Sequence, residues 1–585
     1  PRGVDTFEWS PDGTRLAVLS SSRGADRKAD TKARRRLDEA KPGTPPASDY
    51  RYFDRLGYQL NGAGFIDTRK AQVWIVEAAT GAARKLTSYA NGVDEISWSP
   101  DGKRLAITTA QRRDADLTFL RRVLVLDPDT GAETAIAARP DGIYFSPAWL
   151  PDGKRLAILG GTRPDVYFRT QVLLFAADGS EARGEGTDLT GAADVMAAPA
   201  MGSDLTPGEG ARPIPIDGGR SILFNAAHAG ALDLWRVATD GGGKPERLTD
   251  GHHYLSGYDA VAVGARTRVV AIRSTASQVS QVVVGDLTRS ARSLELRTVA
   301  NLNEAFEAEV ELREPEMRWV ESEGRRIQSW LVPGGEGRGR KPAVVEIHGG
   351  PHTFYGWSPY LEFQVLAGAG ISVLYTNPRG SDGYGRDFNR ANINDWGVGP
   401  MRDVLACVDA WIEAGRIDGD RLGVTGGSYG GYLTNWIVGH TDRFKAALSA
   451  RSVSDLSVMY QTGDLTGTDW PSWEVGKYPW EDPARHRELS PVTYADAIHT
   501  PLLIQHSEKD IRTTVAQAEI LFARLRRLRR PVRFMRVPEE THELTRSGTP
   551  FRRVENLIQV RDWFSHFLVA GKRGLPPMPR TKHGI

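Results

Sequence analysis

The sequence predicts an all-β propeller followed by an α/β domain with a mostly parallel, doubly wound sheet. Three observations predict it. A Trp-Ser-Pro-Asp-Gly theme recurs in the first half, apolar strands alternate with helical patterns after about residue 310, and Ser428 stands among glycines where a strand meets a helix. A chain of 585 residues exceeds what one core organises, so two large domains are expected, 1–310 and 311–585.

The repeats read "FEWSPDGTRLAVLS" (7–20), "ISWSPDGKRLAITT" (96–109) and "PAWLPDGKRLAILG" (147–160), with weaker echoes at 211–226 and 259–274. Alternating apolar residues flank an Asp-Gly turn that tolerates positive φ, so each reads strand, turn, strand. Further strand-and-turn pieces lie between them, which is how four-stranded propeller blades look in sequence. Five units can be traced. The long first interval carries "RGADRKADTKARRRLDEAKPGTPPASDY" (23–50), expected to be a solvated loop insertion. The chain opens on Pro1 rather than Met, which leaves room for a missing N-terminal part of this domain and for a removed leader.

Beyond residue 310 the pattern changes. "RWVESEGRRIQSWLVPG" (318–334) is still strand-like, and buried strands follow in "PAVVEIHGGP" (342–351), "ISVLYTNPRGS" (371–381), "RLGVTGGS" (421–428), "FKAALSARS" (444–452) and "TPLLIQHSEKD" (500–510). Continuous apolar strands separated by helices imply a parallel sheet covered on both faces.

Gly426, Ser428 and Gly430 form G-x-S-x-G, the pattern of a nucleophile elbow in an α/β-hydrolase domain. Small neighbours are needed there because strand and helix approach closely, and the following amide, that of Tyr429, points toward any oxyanion formed at the serine. A serine needs a base and the base needs orienting. Asp510 ends a strand, a helix and a strand follow, and His542 lies on the next loop, the chain order this fold uses. His506, earlier on the strand of Asp510, is read as structural. "EIHGGPH" (346–352) supplies the second oxyanion donor from Gly350, with Gly349 as the alternative. The aromatic stretch "GTDWPSWEVGKYPWEDP" (467–483) suggests either an apolar specificity pocket or packing under a loop.

Composition narrows the partners. A net charge of +2 argues against nucleic acid as the main partner. The cluster "RLRRLRRPVR" (524–533) suits the C-terminal end of a helix, where the dipole favours cations. No apolar run approaches the ~20 residues of a membrane span. Cys407 is the only cysteine, so no disulfide forms within the chain, which fits a reducing, cytoplasmic setting. No cofactor or metal is implied, since "HELTR" (542–546) lacks the second histidine of a zinc helix.

The combination of "HGGPH", "NPRGSDGYGRDF" (377–388), "GGSYGGY" (426–432), "EKDIR" (508–512) and "ETHEL" (540–544) behind a propeller resembles the prolyl oligopeptidase family, in its acylaminoacyl-peptidase branch. The resemblance implies a serine peptidase with Ser428, Asp510 and His542 as its triad, Tyr429 and Gly350 as oxyanion donors, and Arg512 reaching a substrate carbonyl. It also implies short peptide substrates and a homo-oligomer, dimer or tetramer. Release of N-acylated residues is the expected activity. Removal of C-terminal residues, with Arg512 binding the carboxylate, and small-ester hydrolysis are the alternatives. No acidic pair that would clamp a free amine for dipeptidyl release stands out. Ser507, where relatives carry Gly, and Pro400 depart from the family pattern, and the five units fall short of its usual seven blades.

Overall fold

The computed structural model describes residues 3–21, 50–66, 70–110, 112, 114–199, 202–205, 212–336 and 339–579. Apart from Tyr50, the charged insertion at 23–50 lies outside the described residues.

Each of the five repeats supplies the first two strands of a four-stranded antiparallel unit. The first unit runs Thr6–Trp9, Arg15–Ser20, Gln72–Glu77 and Ala83–Lys85, and the second runs Glu95–Trp98, Leu105–Thr109, Arg122–Leu126 and Glu133–Ala137. The fourth and fifth units join into one eight-stranded sheet through a parallel contact between Leu232 and Tyr254. The motif itself explains how units stack. Within the turn, Ser10 and Ser99 donate to Asp12 and Asp101 at 2.6 Å. Between units, the Trp98 indole donates to Glu8 O and the Trp149 indole to Ser97 O, both at 3.1 Å. Arg15 and Arg104 then lie over those same indoles, and each donates to a glycine carbonyl in the next turn. Trp, Asp-Gly and Arg thus form one latch, used twice.

The last strand of these units ends at Ala300, and a different sheet begins at Glu316. Its eight strands are β1 (Glu316–Ser322), β2 (Arg325–Val332), β3 (Lys341–Ile347), β4 (Ser372–Asn377), β5 (Ile417–Gly427), β6 (Ala446–Ala450), β7 (Leu502–Ser507) and β8 (Val532–Val537). They lie in the order β1-β2-β4-β3-β5-β6-β7-β8, with β2 antiparallel to its neighbours and all later pairs parallel. Alternation within a strand divides the core between two faces. Ala343, Val345 and Ile347 of β3 join one cluster with Trp411 and Trp436, while Val344 joins the other with Tyr375 and Phe564. The first cluster is covered by α1 (Val398–Glu413), which buries Cys407, and by α2 (Tyr429–Val438). Among the described residues, no helix is long and apolar enough to cross a membrane.

Candidate active site

The chain leaves β5 at Gly427 and enters α2 at Tyr429, so Ser428 alone makes the turn. It does so at φ 61°, ψ −121°, a strained region for a non-glycine residue. Two bonds hold it there: its amide donates to Ala450 O at 3.0 Å and its carbonyl accepts from Tyr432 N at 2.9 Å. The flanking glycines answer to crowding. A Cβ at Gly426 would lie 2.5 Å from Ile347 O, and one at Gly430 would run into that same carbonyl. Gly430→Ala is therefore expected to push α2 off β3, costing about 1–3 kcal/mol of stability. A lower denaturation midpoint with reduced turnover checks this.

His542 and Asp510 meet as the chain order requires. Nδ1 of His542 donates to Asp510 Oδ2 at 2.7 Å, with both residues almost fully buried. Asp510 Oδ1 accepts from the amides of Arg512 and Thr513, each at 3.0 Å, so the carboxylate is fixed from two sides. Burial alone would raise the Asp510 pKa, but His542 and His506 beside it hold the carboxyl well below the usual range. Burial likewise holds the His542 imidazole below its ordinary value, against the upward pull of Asp510. His506 is fully buried, with its Nε2 donating to Thr513 O at 2.6 Å and lying 3.4 Å from Asp510 Oδ2.

Neutral His542 is the form able to take a proton, so its lowered pKa has a kinetic consequence. The acid limb of kcat/KM is expected below pH 6.5, with the rate level from neutrality down to that limb. A pH series on a short peptide substrate measures it.

The glycine loop after β3 carries two histidines whose pKa values shift in opposite directions. His348 donates from Nδ1 to Gly349 O at 2.7 Å, and burial lowers its pKa to about 4, so it is neutral. His352 has acceptors at both ring nitrogens, Gly380 O at 3.0 Å and Glu474 Oε1 at 2.5 Å, an arrangement that an imidazolium satisfies. Its pKa is raised: burial opposes the charge, and Glu474 outweighs burial. Buried Glu474 also accepts from the Trp396 and Trp470 indoles, at 2.7 and 3.0 Å. Gly350, at φ 121°, sits between the two histidines and lines the cavity in front of Ser428, as does Gly349. The Tyr429 side chain turns into the core to bond Trp396 O, leaving its amide at the N-terminus of α2, where no intrahelical acceptor exists.

Arg512 lines the same cavity, but its fork is engaged. Nε and Nη2 pair with Asp464 at 2.7 and 2.9 Å. Asp464 also accepts from Asn61 N at 3.0 Å, and Asn61 Oδ1 accepts from His542 N at 3.2 Å. Asn61 caps the short hairpin Gln59–Leu60 and Gly64–Phe65, so the β-sheet domain touches the histidine loop directly.

Ser428, His542, Gly350 and Arg512 face one cavity of about 530 Å³, with Met459, Leu465 and Trp470 as apolar lining. The aromatic stretch divides between the cavity, the β-sheet domain and solvent. Trp470 faces the cavity, Trp473 stacks on Tyr167 of the β-sheet domain, and Trp480 is 65% exposed. Sequence reasoning missed a second group on this wall: Asp204, Glu346, Glu362 and Arg451. Burial, then repulsion from the neighbouring Glu362, pushes the Glu346 carboxyl far up, and Glu346 Oε1 is buried with no hydrogen-bond partner among the described residues.

The strand order and the serine elbow at the end of β5 define an α/β-hydrolase fold with a serine nucleophile site. The comparisons with known proteins agree. The prolyl oligopeptidase family (Peptidase_S9) signature matches residues 357–570. The uncharacterized peptidase YuxL of Bacillus subtilis strain 168 is 31% identical over 598 residues, spanning 97% of this chain and 84% of that protein. This chain belongs to the prolyl oligopeptidase family and is a serine peptidase. Dipeptidyl-peptidase 5 of Porphyromonas gingivalis is 27% identical over 468 residues, spanning 77% of this chain and 64% of that protein. Among solved structures, an acylaminoacyl peptidase of Pyrococcus horikoshii superposes with a TM-score of 0.79 at 21% identity, over 99% of this chain and 84% of that one.

Proposed function

We propose that this peptidase releases N-acylated amino acids from the front of short peptides. Ser428 attacks the scissile carbonyl while His542 takes its proton and then passes it to the leaving amine. Asp510 holds the imidazole in the tautomer that leaves Nε2 free to accept, and water later releases the acyl group by the same route. The amides of Tyr429 and Gly350 receive the oxyanion. The observation that carries this reading is the 2.7 Å Asp510–His542 bond beside a strained serine in a shared cavity.

The capped front end is favoured by the state of Arg512. Its charge is matched by Asp464 inside the protein, so a free C-terminal carboxylate gains little there, whereas a neutral carbonyl asks only for a donor. The apolar Met459, Leu465 and Trp470 suit an uncharged acyl residue. The five β units, read as propeller blades, would cover the site and admit small or unfolded chains. The reading also carries a cytoplasmic enzyme that forms dimers or tetramers.

A second reading, dipeptidyl release, is favoured by the three carboxyls of Asp204, Glu346 and Glu362 on the cavity wall and by the relative named dipeptidyl-peptidase 5. One assay separates them: mass spectrometry after incubating acetylated, free and C-terminally amidated versions of one peptide. Cleavage of the acetylated forms alone supports acyl-residue release. Removal of an N-terminal dipeptide from the free and amidated forms but not from the acetylated one supports the second reading, and loss on amidation would point to a carboxypeptidase instead.

A further inference from the structure

Arg451 follows β6 directly, at φ 39°, and is one residue or one hydrogen bond removed from the turn of Ser428, from Thr513 beside Asp510, and from the loop of His542. Its neighbour Ala450 holds the Ser428 amide, and its own amide donates to Gln505 O on β7 at 2.8 Å. Its carbonyl accepts from Thr513 Oγ1 at 2.9 Å, and Thr513 in turn contacts both Asp510 Oδ2 and His542 Nδ1 at 3.2 Å. The guanidinium lies flat under the elbow: a Cβ at Gly427 would stand 2.8 Å from Nη2 and 2.9 Å from Nε. Nη1 donates to Thr545 Oγ1, three residues beyond His542, at 3.0 Å.

Arg451 is half-buried on the cavity wall with its Nε closed off from water, and a charge so withdrawn is normally matched by a carboxylate in contact. Among the described residues none lies within ion-pair distance of Arg451, and its Nε has no hydrogen-bond partner. The charges facing it are Glu346 of β3, Glu362 of the helix Leu361–Gly368, and His542, Glu543 and Arg546 of the histidine loop, with the Tyr355 ring nearby. An unmatched charge held against the nucleophile turn is not explained by fold stability, which an apolar side chain would serve as well.

We infer that Arg451 is a positioning residue whose guanidinium props the Ser428 elbow and ties it to the His542 loop. This rests on the triad reading above. The same charge also disfavours a second positive charge on the imidazole.

The test uses the full-length enzyme and a short acylated peptide. Arg451→Met is expected to lower kcat about 100-fold, the effect of misplacing a reacting group by about 1 Å, with KM within about twofold. The acid limb of kcat moves to higher pH, because the imidazole loses a cationic neighbour. Arg451→Lys keeps the charge without the fork, so the limb returns toward its parental position while kcat recovers only in part. Guanidinium chloride at millimolar concentration restores part of the activity of Arg451→Ala, and sodium chloride at equal ionic strength does not. Thr545→Val gives a smaller fall in kcat.

Parental kcat and acid limb in Arg451→Met overturn the inference. If that variant does not fold, the same result in both Arg451→Lys and Thr545→Val overturns it. A rise in KM confined to peptides with a free C-terminal carboxylate also overturns it, making Arg451 a substrate ligand. A fluorophosphonate probe separates this failure from that of the triad. No labelling of the parent enzyme at Ser428 removes both ideas, whereas parental labelling rates in the Arg451 variants remove only this one.

Discussion

Ser428→Ala is expected to lower kcat by on the order of 10⁶, with KM close to the parental value. The magnitude follows from how the residues act. The His542–Asp510 pair has no function without the hydroxyl it activates, so removing Ser428 alone loses nearly the whole effect of the triad. The oxyanion donors and the cavity walls remain, which leaves a residual rate of about 10³–10⁴ over the uncatalysed reaction. The backbone strain at φ 61° is set by the close approach of β5, β3 and α2, so alanine inherits it and the variant folds. Steady-state kinetics on purified enzyme, with loss of fluorophosphonate labelling, measures the effect. Turnover within tenfold of the parent would refute the assignment.

Asp510→Asn comes next, with an expected fall in kcat of about 10⁴. Its cause can be followed atom by atom. Oδ1 accepts two backbone amides, from Arg512 and Thr513, so an asparagine must present its carbonyl oxygen there. Its NH₂ then takes the place of Oδ2 and donates toward His542 Nδ1, which must give up its proton to accept. The imidazole proton moves to Nε2 and faces the serine, where it blocks the base. A variant that kept activity within tenfold would show that the Asp510–His542 bond is structural.

These two effects sit on residues that sequence alone marks out. The elbow is legible because its glycines are contiguous, and Asp510 and His542 because a fixed strand–helix–strand interval separates them. The latch between β units is legible for the same reason: Trp, Asp-Gly and Arg fall within one short repeat. What stayed hidden is built across distance. Asp464, which takes up the fork of Arg512, lies 48 positions away from it. Glu474 sits inside an aromatic run that hides its contact with His352, 122 positions earlier. Glu346 and Arg451 each continue an apolar strand, where a single charged residue carries no periodic signal. Arg512 is picked out only by the family resemblance, and nothing local shows that its partner Asp464 lies within the protein.

The contact of Asn61 with the His542 amide spans 481 positions of chain. One hydrogen bond to the His542 backbone therefore comes from an early segment, while Ser428, Asp510 and His542 themselves arrive only with the closing third. A ribosome releases these parts in that order, so Asn61 emerges long before the histidine loop that it holds. A fragment cut between the two halves would keep Ser428, Asp510 and His542 and lose the bond that Asn61 makes to the His542 backbone amide.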